Sequence, residues 1–150
     1  MPRGSGKTRR AKSKVLFGEE TARGKEPDIS LTRLAAHLDA RSVSVSLRYF
    51  RRECECFSAW TGEELKKFSS TLEKIRGYTA ELLVTNTKLC AGHKGPPSEA
   101  RFAFPSDVSE DQSIFEIKVD PSNKLRMHGF FVGQVFFLIW LDREHACFKE

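Results

Sequence analysis

The sequence predicts an α+β domain, a small antiparallel sheet of about four strands with two or three helices packed on one face, behind a disordered basic N-terminal arm. Three observations carry that expectation. Residues 125–132 and 135–141 are largely apolar runs flanking Gly133-Gln134, a Gly-X pair of the kind that closes two-residue hairpins. Thr61-Gly62-Glu63-Glu64 has the spacing of a helix capping box and opens an apolar stripe at Leu65, Phe68, Leu72 and Ile75. Residues 1–28 are rich in Gly, Ser, Lys and Arg, with too few apolar side chains to offset the entropy of ordering.

Taken in order, the domain boundary falls near Pro27, leaving 1–28 as the arm and 29–150 as one domain. Leu31, Leu34, Ala35 and Leu38 lie at helical spacing behind Asp28 or Ser30 as N-cap, which predicts a short helix over 29–38. Residues 42–50 alternate, with Val43, Val45, Leu47 and Tyr49 on one side, and read as a half-buried strand. The capped helix follows and ends before Gly77, and 79–84 begin a shorter one. Residues 90–111 contain Gly92, Gly95, Pro96, Pro97 and Pro105 and read as a long connection, the natural place for a lid or binding loop. Phe115, Ile117 and Val119 alternate with Glu116 and Lys118 as a strand, and Asp120-Pro121-Ser122-Asn123 turns the chain. The continuous apolar run 135–141 predicts a strand covered on both faces.

Composition narrows the function classes. With 39% hydrophobic and 30% charged residues the chain is globular in type, and its longest apolar run, 135–141, is far short of the roughly 20 residues that span a bilayer. No apolar segment of signal-peptide type follows the N-terminal charges, so a cytoplasmic protein without membrane partners is expected. Cys54, Cys56, Cys90 and Cys147 have neither the spacing of a zinc site nor that of a disulfide framework; they read as free thiols, with no metal and no cofactor expected. Gly4-Ser5-Gly6-Lys7-Thr8 lacks the earlier glycine and preceding strand that a phosphate-binding loop needs.

The net charge of +5 is unevenly placed. Residues 1–25 hold eight Lys or Arg against two Glu, whereas the rest holds 17 basic and 18 acidic side chains. Arg3, Lys7, Arg9, Arg10, Lys12 and Lys14 are therefore candidate phosphate contacts, although the same residues suit a solubilising tail. Within the folded part, Arg126 and His128 share one face of a strand, and Arg143 and His145 follow the last apolar run. Arginine to hold phosphate and histidine to move a proton are what metal-independent RNA cleavage requires, so these four form the candidate catalytic set. A solvated strand face followed by a turn would carry the same residues. Tyr49, Phe50, Phe57 and Trp60 suit core anchoring, and also stacking on bases.

The element order of strand, helix, shorter helix and three consecutive strands, with the ending Trp140-Leu141-Asp142-Arg143-Glu144-His145, resembles the RelE/ParE-like toxin superfamily over residues 42–148. The resemblance implies a ribosome-dependent endoribonuclease of a toxin–antitoxin system, with RNA or the ribosome and an antitoxin-like protein as partners. It would place Arg126 and His128 on a middle strand and Arg143 and His145 at the C-terminal edge. Family members are generally shorter, are basic throughout the fold and carry a tyrosine near the end, whereas no tyrosine follows Tyr78 here. The ending is also similar to that of small uncharacterised prokaryotic proteins, and a non-catalytic module that binds protein or nucleic acid is the alternative reading.

Overall fold

A computed structural model describes residues 42–149. The arm with Arg3, Lys7, Arg9, Arg10, Lys12 and Lys14, the boundary near Pro27 and the helix expected over 29–38 lie outside the described residues.

The first strand, β1, covers Ser44–Ser46 and is shorter than the alternation over 42–50 predicts. Val43 is buried, but the Phe50 N–H donates to the Leu47 carbonyl at 3.0 Å and bends the chain away, leaving Leu47 exposed. The Arg51 N–H then donates to the Ile139 carbonyl at 2.8 Å, so local turn bonding and one cross-chain bond replace the rest of the strand. A 3-10 turn at Phe57–Ala59 leads into helix α1, Gly62–Ile75. Both bonds of its capping box form: Glu64 N–H to Thr61 Oγ1 at 3.2 Å, and Thr61 N–H to Glu64 Oε2 at 2.8 Å. Phe68 and Ile75 are buried on the sheet side, with Leu65 and Leu72 partly so, and the buried Thr71 hydroxyl donates to the Val119 carbonyl at 2.9 Å. Helix α2, Ala80–Thr85, is capped by Thr79 and buries Ala80 and Leu83.

The next segment corrects the expectation of an unbroken connection over 90–111. Residues Cys90–His93 form β2, an edge strand antiparallel to β3 (Ile114–Lys118), with Cys90 opposite Ile117 and His93 opposite Ile114. Ala91 and Gly92 carry almost no β-propensity, so the pairing comes from the neighbouring strand rather than from any alternation in the segment itself. Strands β4 (Arg126–Val132) and β5 (Val135–Asp142) form the expected hairpin, closed at Val132–Val135 with Gly133 at φ +57°. The sheet thus has five strands rather than four, in the order β1-β5-β4-β3-β2, and is mixed because β1 runs parallel to β5.

Strand β5 contains a bulge. His128 pairs with Trp140 and Gly129 with Leu138, so Ile139 is an extra residue, and both Ile139 and Trp140 pack on the face away from the helices. Gly129 is required opposite it, because a Cβ there would lie 2.0 Å from the Phe137 carbonyl oxygen. Both helices pack on one face, over Ile117, Leu125, Met127, Phe136, Leu138 and Leu141. The other face is covered without helices, by Phe102 and Phe104 of the long loop and by Ala146, Cys147 and Phe148 after β5. Strand β5 is therefore buried on both faces, as its composition predicts. Among the described residues no helix is long and apolar enough to cross a membrane.

Candidate functional site

The helix-free face of the sheet carries an unusual number of polar groups at its β2–β3–β4 end. Register explains the grouping: Glu116 of β3 lies opposite His128 of β4 and Ala91 of β2, Lys118 lies opposite Arg126, and Arg126 lies opposite Asp142 of β5. These side chains project to the same face because strand pairing aligns them across the sheet.

Glu116 is the hub. It is only 2% exposed, yet its carboxylate meets Arg126 Nε at 3.0 Å, His93 Nε2 at 3.2 Å and His145 Nε2 at 3.1 Å. Burial alone would raise its pKa, but the His93 hydrogen bond and the field of His128, His145 and Arg126 outweigh that and bring it down to about 2. An ionised carboxylate only accepts hydrogen bonds, so both imidazoles donate from Nε2 and keep Nδ1 as the remaining nitrogen. Arg126 is itself pinned, its Nη1 donating to the carbonyls of Asp120, Asn123 and Leu125 at 3.2, 2.7 and 2.9 Å.

A second acid–imidazole pair lies deeper. His128 Nε2 is 3.0 Å from Asp142 Oδ2, and neither residue has any exposed surface. Burial lowers the pKa of His128, against the pull of Asp142 toward the charged form. Burial would raise the Asp142 carboxyl, but the His128 bond and the N–H groups of Ala146 and Cys147, both at 2.8 Å, hold it below its ordinary value. These two backbone bonds close the turn that follows β5. His145 sits in that turn at φ +54°, a left-handed conformation that aims its ring back at Glu116.

The result is a cleft of about 410 Å³ whose lining includes His93, Glu116, Lys118, Arg126, His145 and Lys149. The ring of Phe148 forms part of its wall and stacks on His93 at 4.3 Å between centroids. The His93 and His145 side chains are 22% and 32% exposed, so a ligand can reach both, whereas His128 at 0% is out of reach. Of the four residues singled out from sequence, the structure brings Arg126, His128 and His145 to this end of the sheet. Arg143 is held elsewhere: its guanidinium Nε bonds Glu64 at 2.8 Å and its N–H bonds Glu55 at 2.8 Å. Cys54, Cys56, Cys90 and Cys147 are free thiols, and among the described residues no group of three or more His, Cys, Asp or Glu is arranged to hold a metal ion. Of the stacking candidates, Trp60 is buried against Phe68, with Phe50 and Phe57 packed on the helix-side core and Tyr49 on the other.

The residues that sequence reasoning missed are His93 and Glu116. His93 falls in a stretch with no strand signal, and Glu116 occupies the solvent side of an alternation whose solvent side is in fact covered. No family model, curated protein or solved structure matches the chain.

Proposed function

We propose that the protein is an RNA-directed, metal-independent endoribonuclease whose reacting groups are His93 and His145, and that it acts as the toxin of a toxin–antitoxin pair. The observation that carries the reading is one buried carboxylate holding two reachable imidazoles by the same nitrogen inside a cleft edged by Lys118, Arg126 and Lys149. A carboxylate that fixes one nitrogen of a histidine leaves the other oriented for proton transfer, and here it does so twice. Cleavage of a phosphodiester with an adjacent 2′-hydroxyl needs one base and one acid. One imidazole Nδ1 takes the 2′-OH proton as that oxygen attacks phosphorus. The other imidazole, protonated, delivers a proton to the departing 5′-oxygen as the P–O5′ bond breaks. The products are a 2′,3′-cyclic phosphate and a 5′-hydroxyl, and the two histidines have exchanged protonation states. Lys118 provides positive charge for the phosphate, Lys149 at the rim is paired with Glu99 at 3.0 Å, and Arg126 acts as a positioning residue through Glu116. His128 takes no part in proton transfer, being sealed from solvent, and supports the Asp142 turn instead.

The test is cleavage of a uridine-rich oligoribonucleotide in the presence of EDTA. The reading expects cyclic-phosphate ends, no cut at a 2′-deoxy linkage, and a fall in rate of roughly 10²–10⁴-fold for either His93→Ala or His145→Ala. Retained activity in both folded variants, or complete loss of wild-type activity in EDTA, overturns it. Growth arrest on expression, lost in His145→Ala, would support the toxin role.

A further inference from the structure

A second cleft, about 440 Å³, lies between α1 and the turn after β3, and the proposed chemistry does not use it. Its lining includes Lys66, Lys67, Lys74 and Lys118, against Glu63 and Asp120. Lys67 and Lys74 share one side of α1, being about two helical turns apart, and Lys66 borders the same cleft. Lys67 is neutralised by Asp120 at 2.6 Å. Among the described residues Lys66 and Lys74 make no ion pair, and the Lys118 ammonium meets only the Thr87 carbonyl, at 3.1 Å. Lys118 lines both this cleft and the imidazole cleft.

We infer that the α1 cleft is a second phosphate-binding site for the strand cleaved in the first, so that a single-stranded polynucleotide runs from Lys66 and Lys74 past Lys118 to His93 and His145. This deepens the endoribonuclease reading and rests on it for the identity of the ligand. Lysine ammonium groups are point charges that hold phosphate without reading bases, so the site extends the footprint along the backbone and adds no sequence preference. A groove of this kind engages several nucleotides, so a longer strand binds more tightly than a dinucleotide that reaches only the imidazole cleft.

The experiment uses the full chain carrying His145→Ala to prevent turnover, with a fluorescent 12-nucleotide oligouridylate as probe. Lys66→Glu with Lys74→Glu should weaken binding by about tenfold or more and reduce the slope of log affinity against log salt by about 1.4, the value for two contacts on a single strand. Arg48→Glu with Arg52→Glu, outside both clefts, should change neither. With His145 restored, cleavage of the dinucleotide UpU should be unaffected by the lysine pair. Unchanged affinity and slope in the lysine variant overturn the inference, as does failure of the chain carrying His145→Ala to bind the oligonucleotide. A polyglutamate probe that loses affinity where the oligonucleotide does not would assign the groove to an acidic protein instead. Lysine-dependent binding without cleavage by the chain with His145 intact would retain the groove and remove only the catalytic reading.

Discussion

Replacing Glu116 with glutamine removes one charge from the hub and leaves its shape nearly unchanged. The magnitude follows in two ways. Removing one partner of a buried ion pair costs about 3–5 kcal/mol, and the Arg126 guanidinium would lose its only carboxylate contact among the described residues. Independently, a carboxyl moved from 4.5 to about 2 by the fold contributes on the order of 3 kcal/mol of stability at neutral pH. The sign follows from the direction of the shift. Because the folded pKa is depressed, this contribution is fully present above the unfolded value of 4.5 and is lost as pH falls through about 2. The glutamine amide does not titrate. Glu116→Gln should therefore be about 3 kcal/mol less stable than the parent near neutrality, and the gap should narrow by about 1.4 kcal/mol for each pH unit below the unfolded pKa. Asp142 is present in both proteins, and because Glu116 and His128 act on each other, the difference between parent and variant reports Glu116 together with the imidazoles coupled to it. Urea denaturation of both proteins between neutral pH and about pH 3 measures it. A cost under ~1 kcal/mol, typical of an exposed pair, or a gap that stays constant with pH, refutes the account of Glu116 as an ionised hub.

Three further predictions concern the frame around the site. Gly129→Ala should cost more stability than Gly133→Ala, although only Gly133 has a positive φ; overlap with the Phe137 carbonyl at 2.0 Å forces the backbone apart, whereas the left-handed penalty is about 1–2 kcal/mol. Equal melting temperatures for the two variants would contradict this. Thr61→Ala should lose about 1 kcal/mol with the capping box, measured by thermal denaturation, and an unchanged midpoint would mean the cap contributes nothing to the folded domain. Among the thiols, Cys56 should react with an aromatic disulfide reagent well before Cys90 or Cys147. The Ser58 hydroxyl and N–H and Arg52 favour its thiolate, while burial pushes Cys90 up to about 11 and Cys147 higher still. Mass spectrometry that finds Cys147 labelled first would show that the C-terminal cover opens readily.

The hairpin and the capped helix were legible because each rests on a local rule: Gly133-Gln134 between apolar runs, and Thr61 three residues before Glu64. Strand β2 was not, because Ala91 and Gly92 carry no pattern and the strand exists through its bonds to β3. The site was half legible. Arg126, His128 and His145 stood out as a basic and imidazole set, but sequence spacing says nothing about depth, and depth separates the sealed His128 from the reachable His145. Arg143 lies two residues from His145 yet is drawn to Glu64 on α1, a contact across 79 residues of chain that no local pattern encodes. Glu116 was hidden by the assumption that the polar side of an alternating strand faces water.

The extra residue in β5 also decides where the deeper acid ends up. Up to and including it, Phe137 and Ile139 face away from the helices while Phe136 and Leu138 face them; after it, Trp140 and Asp142 face away while Leu141 faces the helices. One inserted residue reverses the phase of the strand. Without that reversal Leu141 would meet the imidazole of His128, and the Asp142 carboxylate would point among Leu125, Met127 and Leu138, with neither histidine nor turn amides to receive it. A strand that reads as uniformly greasy can thus end in a buried acid on the polar side of the sheet, and Ile139 is the residue that sets which side that is.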